Sequence, residues 1–263
     1  MNKVVRNLFG PLWKHLPHAA PPAPAKPVAA SDFPADFDES TKTICRTVRP
    51  YTMTSPERIN ALVGAVRYVA TNRIEGAIVE CGVWRGGSMM AVALALREIG
   101  DVNRELYLYD TYAGMPPPED VDCAIDGLRA KERFAQAQTS ADPAHWSRCY
   151  SSLDEVRRNV FGTDYPPDSI HFVAGKVEET IPGDAPADIA LLRLDTDWYE
   201  STRHEMVHLY PRLRPGGVLI IDDYGHWQGA RKAIDEFIAE RKLKLLLCRV
   251  DYTGRIAIKL PED

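Results

Sequence analysis

The 263-residue sequence has no apolar run approaching the roughly 18–20 residues that a membrane-spanning helix needs. No membrane span is expected. It also lacks an excess of base: 32 basic side chains stand against 37 acidic ones, a formal charge of -5. Such a chain has no general positive field for gripping a phosphate backbone, so a nucleic-acid partner is not expected. Its five cysteines, Cys45, Cys81, Cys123, Cys149 and Cys248, never form a C-x-x-C pair. Scattered and odd in number, they suit reduced thiols better than a disulfide framework or a zinc knuckle. Arg6 and Lys14 interrupt the first apolar residues, and no clean cleavage site follows, so a secretion signal is not expected either. A cytoplasmic location is the reading that follows. What is present is ordinary: 45% hydrophobic and 26% charged residues, enough for a real core.

Charge and composition divide the chain. Residues 1–30 carry Lys3, Arg6, Lys14 and Lys26 and no acid. Val4, Val5, Leu8, Phe9, Leu12, Trp13 and Leu16 fall at near-helical spacing, broken by Gly10-Pro11. From Pro17 to Ala30 almost every residue is Ala or Pro, the composition of a stiff linker. An arm that packs on its own domain or on a neighbouring subunit is preferred to a membrane-surface element. Residues 31–263 are expected to form the main domain.

Within it, the pattern predicts a helix over 55–70, then strands over 77–83, 106–109, 170–173, 189–194 and 218–221. Helices are predicted over 88–99, 201–213 and 229–241. Strands alternating with helices signal a parallel sheet covered on both faces. Leu243–Val250 and Arg255–Leu260, joined by Tyr252-Thr253-Gly254, predict an antiparallel C-terminal hairpin. The class is α/β. Residues 111–168 form an unusually long connection leaving the C-terminal edge of the sheet, where ligands bind in this architecture. A lid over the site is expected there.

The first strand runs through Glu80, Cys81 and Gly82 into Trp84, Arg85, Gly86, Gly87 and Ser88 and on into a helix. Gly82 and Gly86 allow close ligand approach, and the helix start offers free amides. Asp110, ending the second strand, suits the two hydroxyls of a ribose. The G-x-G-x-x-G dinucleotide fingerprint is absent, and Glu80 stands where its first glycine belongs. A carboxylate there opposes a pyrophosphate but tolerates a cationic cofactor such as S-adenosylmethionine. Arg85 could face that cofactor's carboxylate, and Trp84 completes the candidate contacts of this turn.

The fourth and fifth strands end in Asp195-Thr-Asp197 and Asp222-Asp223-Tyr-Gly-His226. Asp195, Asp222 and Asp223 converge if those strands are neighbours. Carboxylates so close repel one another unless a cation or protons compensate, and an all-oxygen set points to Mg²⁺. Asp197, three residues before Glu200, reads as a capping-box residue rather than a primary ligand.

Together, Ala77–Ser88, the Asp110-Thr-Tyr-Ala-Gly-Met-Pro run, Gly175-Lys-Val-Glu-Glu-Thr-Ile-Pro, Arg193–Thr202 and Pro215–Gly225 resemble the macrocin O-methyltransferase family. The resemblance covers roughly residues 40–260 and leaves out the arm. It implies a Rossmann-like methyltransferase sheet of seven strands, a mobile lid, S-adenosylmethionine and a Mg²⁺ ion. Asp195, Asp222 and Asp223 match the family's metal ligands. Glu80, Gly82, Ser88 and Asp110 match its cofactor contacts, with Lys176, Val177 and Glu178 near the adenine. The acceptor implied is a hydroxylated small molecule, in particular a sugar of a glycosylated natural product. Asp195, Asp197 and His226 are the candidates for the base. Catechol-type relatives carry a lysine where Trp198 stands, so their mechanism is not carried over. A nicotinamide oxidoreductase fits the sheet but not Glu80 or the acids. A noncatalytic scaffold fits only the unmatched arm. The arm and the lid are the elements through which a homo-oligomer would form.

Overall fold

The structure is a computed structural model and describes residues 33–139 and 149–261. The expected arm and linker, and residues 140–148 of the expected lid, lie outside the described residues. The compact unit begins at Phe37.

Five short apolar segments supply the parallel part of the sheet: β1 (Ala77–Cys81), β2 (Leu106–Asp110), β3 (Ile170–Ala174), β4 (Ile189–Leu194) and β5 (Leu213–Ile221). β1 and β4 are buried throughout, as strands covered on both faces must be. Two antiparallel strands, β6 (Cys248–Arg249) and β7 (Arg255–Ile258), complete the order β3-β2-β1-β4-β5-β7-β6. The seven-stranded, mostly parallel sheet with an antiparallel C-terminal end is the architecture the sequence implies. Strand order reverses between β1 and β4, and the crevice at such a switch point is where ligands bind.

The connecting helices are α1 (Glu39–Val48), α2 (Pro56–Thr71), α3 (Gly87–Ile99), α4 (Ala130–Thr139), α5 (Leu153–Phe161), α6 (Val177–Thr180), α7 (Tyr199–His208) and α8 (Gln228–Arg241). α2 starts on Ser55, whose hydroxyl accepts the Arg58 N–H, with Pro56 at its first position. It buries Ile59, Leu62, Val63, Val66 and Val69 at helical spacing. Val79, Cys81, Leu192 and Leu194 on one side of the sheet pack with Met206 of α7 and Ile234 and Phe237 of α8.

Three boundaries differ from the sequence reading by five residues or more. β5 starts at Leu213 rather than 218, because a register shift opposite Ile189–Leu191 absorbs Arg214–Gly217. That early start ends α7 at His208, with a 3-10 turn over Tyr210–Arg212 before the strand. The predicted strand 243–250 pairs only at Cys248–Arg249. Leu243, Leu245 and Leu247 pack against the core while Leu246 is 78% exposed, so alternation is kept without a ladder partner.

Candidate functional site

The C-terminal ends of β1, β2, β4 and β5 open into a cavity of about 340 Å³. On its β1–β2 side lie Gly82, Trp84, Ser88 and Asp110, with Lys176, Val177 and Glu178 from the loop after β3. Asp110 Oδ2 accepts the N–H groups of Val83 (2.7 Å) and Trp84 (3.0 Å), and Oδ1 accepts that of Tyr112 (2.8 Å). This carboxylate therefore fixes the glycine-rich turn and still borders the cavity. Gly82 has φ +85°, and a Cβ there would lie 2.0 Å from the Asp195 carbonyl oxygen. The close passage of the chain at Asp195 by itself requires glycine here, while Gly82 also lines the cavity.

Arg85, Gly86 and Glu80 do not line the cavity. Arg85 Nε bonds Glu155 of α5 at 2.8 Å and its Nη1 donates to the Pro50 carbonyl. Gly86 is the N-cap of α3, with φ +89° and the side chains of Val156 and Val160 against it. Glu80 is buried beneath the site, 1% exposed, and gives Oε1 to Arg193 Nη1 at 2.5 Å. Its Oε2 has no hydrogen-bond partner, and burial pushes its carboxyl up to about 7 despite the guanidinium.

On the β4–β5 side, Asp195, Asp197 and Asp223 each bring a carboxylate oxygen within 4.8 Å of the others. Burial is the main force raising all three; it pushes Asp197 up to about 7 and the other two well above the usual carboxylate range. Neighbouring carboxylates add to the shift in each case. Asp223 Oδ2 is buried with no partner. Arg193 bonds Asp195 at 2.7 Å, and an all-oxygen donor set of three carboxylates with an orphaned oxygen fits a hard divalent cation.

Asp222 takes a different place from the one expected. Arg193 Nη2 bonds its Oδ1 at 2.5 Å, and Arg58 Nη1 bonds its Oδ2. Asp197 stands in the cluster instead. It is not a helix cap: its φ is +68°, whereas the cap of α7 is Trp198, in extended backbone without a side-chain cap bond. Aspartate tolerates the left-handed region better than most residues, and Trp84, also at the cavity, shares it with φ +46°. His226 borders the same space. Its Nδ1 is 3.3 Å from the Tyr252 hydroxyl, and burial, with Arg133 and Arg58 adding to it, holds its pKa below the ordinary value.

The sequence reading missed Arg193, Arg58 and the hairpin turn Tyr252–Thr253, all of which shape this site. Arg193 reaches Glu80, Asp195, Asp222 and Thr54. Its signal was available, since a charge inside the apolar run Ile189–Leu194 of a central strand needs buried partners. Arg58 lies within an ordinary amphipathic helix and gave no such signal. It binds Asp251 of the hairpin turn as well as Asp222.

The sequence profile of the Macrocin-O-methyltransferase (TylF) family matches residues 25–257. A Streptomyces olivaceus protein, 8-demethyl-8-(2,3-dimethoxy-alpha-L-rhamnosyl)-tetracenomycin-C 4'-O-methyltransferase, is 32% identical over 204 residues, 78% of this chain and 74% of its own length. Demethyldecarbamoylnovobiocin O-methyltransferase of Streptomyces niveus is 32% identical over 205 residues, with the same two shares. The solved structure of the O-methyltransferase NovP superposes with a TM-score of 0.69 at 29% identity, covering 80% of this chain and 83% of that one.

Proposed function

The chain belongs to the macrocin O-methyltransferase family, and from that premise we propose that it methylates a hydroxyl on the sugar of a glycosylated natural product. The methyl donor is S-adenosylmethionine, and Asp195, Asp197 and Asp223 hold a divalent cation, Mg²⁺ by its preference for oxygen. The observation that carries this reading is one cavity in which the Asp110 turn lies opposite three clustered carboxylates, of which Asp195 is held by Arg193 at 2.7 Å. The relatives named above carry the names of a rhamnosyl-tetracenomycin and a demethyldecarbamoylnovobiocin O-methyltransferase, which supports an acceptor of that class.

In the reaction, an acceptor oxygen forms a bond to the methyl carbon as the carbon–sulfur bond breaks. The bonding pair returns to sulfur and neutralises the sulfonium. Asp110 accepts the ribose hydroxyls, and the loop Lys176–Glu178 flanks the adenine. Holding oxygen, carbon and sulfur in line contributes up to about 7–11 kcal/mol in favourable cases. A cation held by the acidic cluster would supply Lewis acidity that eases deprotonation of an alcohol. The hydroxyl proton passes to Asp197 or to His226 Nε2, the ring nitrogen that does not face Tyr252. Both border the cavity, and burial holds the His226 pKa below its ordinary value, which favours the unprotonated ring that a base requires.

The test is a panel of hydroxylated glycosides incubated with S-adenosylmethionine, with Mg²⁺ or with chelator, and read by product mass. One added methyl group, formed only with the cation, is the expected result. Transfer that survives exhaustive chelation would leave the methyltransferase and remove the cation.

A further inference from the structure

The first half of the long insertion does more than cover the site. Asp122, 1% exposed, accepts the Tyr199 N–H on Oδ1 at 2.9 Å and the Glu119 N–H on Oδ2 at 2.7 Å. It thus replaces the missing cap of α7, whose own cap residue Trp198 makes no side-chain bond. The same carboxylate lies against the start of α8: a Cβ on Gly229 would sit 2.0 Å from Asp122 Oδ1. The backbone continues the attachment. Ala124 bridges Trp227, Ile125 N donates to the His226 carbonyl at 2.7 Å, and Gln228 N donates to that of Cys123 at 2.8 Å. Trp198 Nε1 reaches back to the Pro116 carbonyl at 3.0 Å.

Residues 116–125 therefore join two loops, one following Asp197 and the other following Asp223. Those aspartates bring carboxylate oxygens within 4.8 Å of each other. The two helices also touch directly, Trp198 edge-on to Trp227 and the Tyr199 hydroxyl on Glu236 at 2.7 Å, and residues 116–125 add a third segment bonded to both. We propose that Asp122 is a positioning residue that sets the spacing of the Asp197 and Asp223 loops, so that the insertion shapes the cation-binding geometry. The inference rests on the cation reading above.

The experiment compares full-length wild type with Asp122→Ala, Asp122→Asn and Gly229→Ala, all at a temperature where each is folded. Mn²⁺ affinity is read from the resonance of the free ion, and S-adenosylmethionine affinity from calorimetry. Asp122→Ala should weaken Mn²⁺ binding about tenfold or more and leave cofactor affinity at the wild-type value. Asp122→Asn keeps one acceptor oxygen but turns an N–H toward the other amide, so its loss should be intermediate. Gly229→Ala, which displaces the carboxylate, should act in the same direction and carries the comparison if Asp122→Ala does not fold. Wild-type Mn²⁺ affinity in the folded variants overturns the proposal, and so does an equal loss of both ligands, the mark of general loosening. If the wild type itself binds no Mn²⁺, the cation reading falls and amide exchange decides the spacing role. Faster exchange in both 195–202 and 223–230 of Asp122→Ala supports it, whereas a change confined to 112–139 overturns it.

Discussion

Arg193 and Glu80 face each other across the register of β4 and β1, and Nη1 and Oε1 lie 2.5 Å apart with both side chains fully within the fold. The same guanidinium holds Asp195 and Asp222, so one buried cation ties together the ends of three adjacent strands. A parallel sheet presents its carboxyl-terminal edge as a row of loop starts, and nothing in the ladder itself fixes their side chains. Arg193 does so from below, reaching β1 through Glu80 and the acidic side through Asp195 and Asp222.

Removing that guanidinium leaves buried carboxylates uncompensated. Arg193→Met should therefore lower unfolding free energy by about 3–5 kcal/mol, measured by denaturant titration. Arg193→Lys should recover only part of this, since an ammonium is a compact charge that cannot reproduce the planar fork of a guanidinium.

Glu80 gives this network a pH dependence with a definite sign. Burial raises its carboxyl from the ordinary 4.5 to about 7; Arg193 opposes the shift, while Asp222 and Asp110 add to it. The native state then binds more protons than the unfolded chain between those values, so Glu80's contribution to stability declines as pH rises from about 4.5 to 7. Glu80→Gln removes this proton uptake. The stability of Glu80→Gln relative to wild type should increase across that window, and a pH-independent difference would contradict it.

Gly82 separates a packing requirement from a binding one. With φ +85° and the Asp195 carbonyl 2.0 Å from the place of a Cβ, Gly82→Ala must displace β4. A fall in thermal midpoint is expected even without any ligand. A stable Gly82→Ala protein that merely binds cofactor weakly would return the glycine to a role in ligand approach.

How much of this was legible follows from what kind of interaction each residue makes. The alternation of Ala77–Cys81, Leu106–Asp110 and Ile189–Leu194 with helical segments determined the sheet, because burial on both faces demands continuous apolar runs. Asp195 and Asp223 were legible because strand ends in such a sheet meet at one edge. Asp197 was assigned to a cap because its spacing to Glu200 satisfies the capping pattern, yet its positive φ turns it toward Asp223 instead. Asp222 was assigned to the metal because sequence adjacency does not tell which carboxylate meets Arg58 and Arg193. Those arginines arrive from α2 and from the interior of β4, at separations no local pattern encodes.

Asp110 fixes its own turn, and in the proposed reading it also accepts the ribose hydroxyls. Asp110→Asn keeps one acceptor for the Val83, Trp84 and Tyr112 amides while discharging the side chain. S-adenosylmethionine affinity should fall by about 1.5–3 kcal/mol if the lost bonds were charge-assisted, as read by calorimetry. Unchanged affinity in a folded variant would detach Asp110 from the cofactor.

The acidic cluster distinguishes cation ligands from their supports. Asp197→Asn and Asp223→Asn each remove a carboxylate from a group that has too much negative charge, so neither should destabilise the protein without metal, and relief of repulsion should raise the thermal midpoint slightly. Both should weaken Mn²⁺ binding and methyl transfer together, with cofactor affinity preserved across the cavity. Asp222→Asn should behave in the opposite way. It strips one partner from each of Arg58 and Arg193, which keep Asp251 and the Glu80–Asp195 pair respectively, and a broken buried pair costs about 3–5 kcal/mol. Its main signature is therefore loss of stability, and any loss of Mn²⁺ affinity should be smaller than in the other two. The reverse ranking, with Asp222→Asn stable but unable to bind Mn²⁺ and Asp197→Asn binding normally, would exchange the roles of Asp222 and Asp197. In that event the arginine contacts to Asp222 must open when the cation enters, and Arg58→Gln should then tighten Mn²⁺ binding by removing a competitor for the same carboxylate.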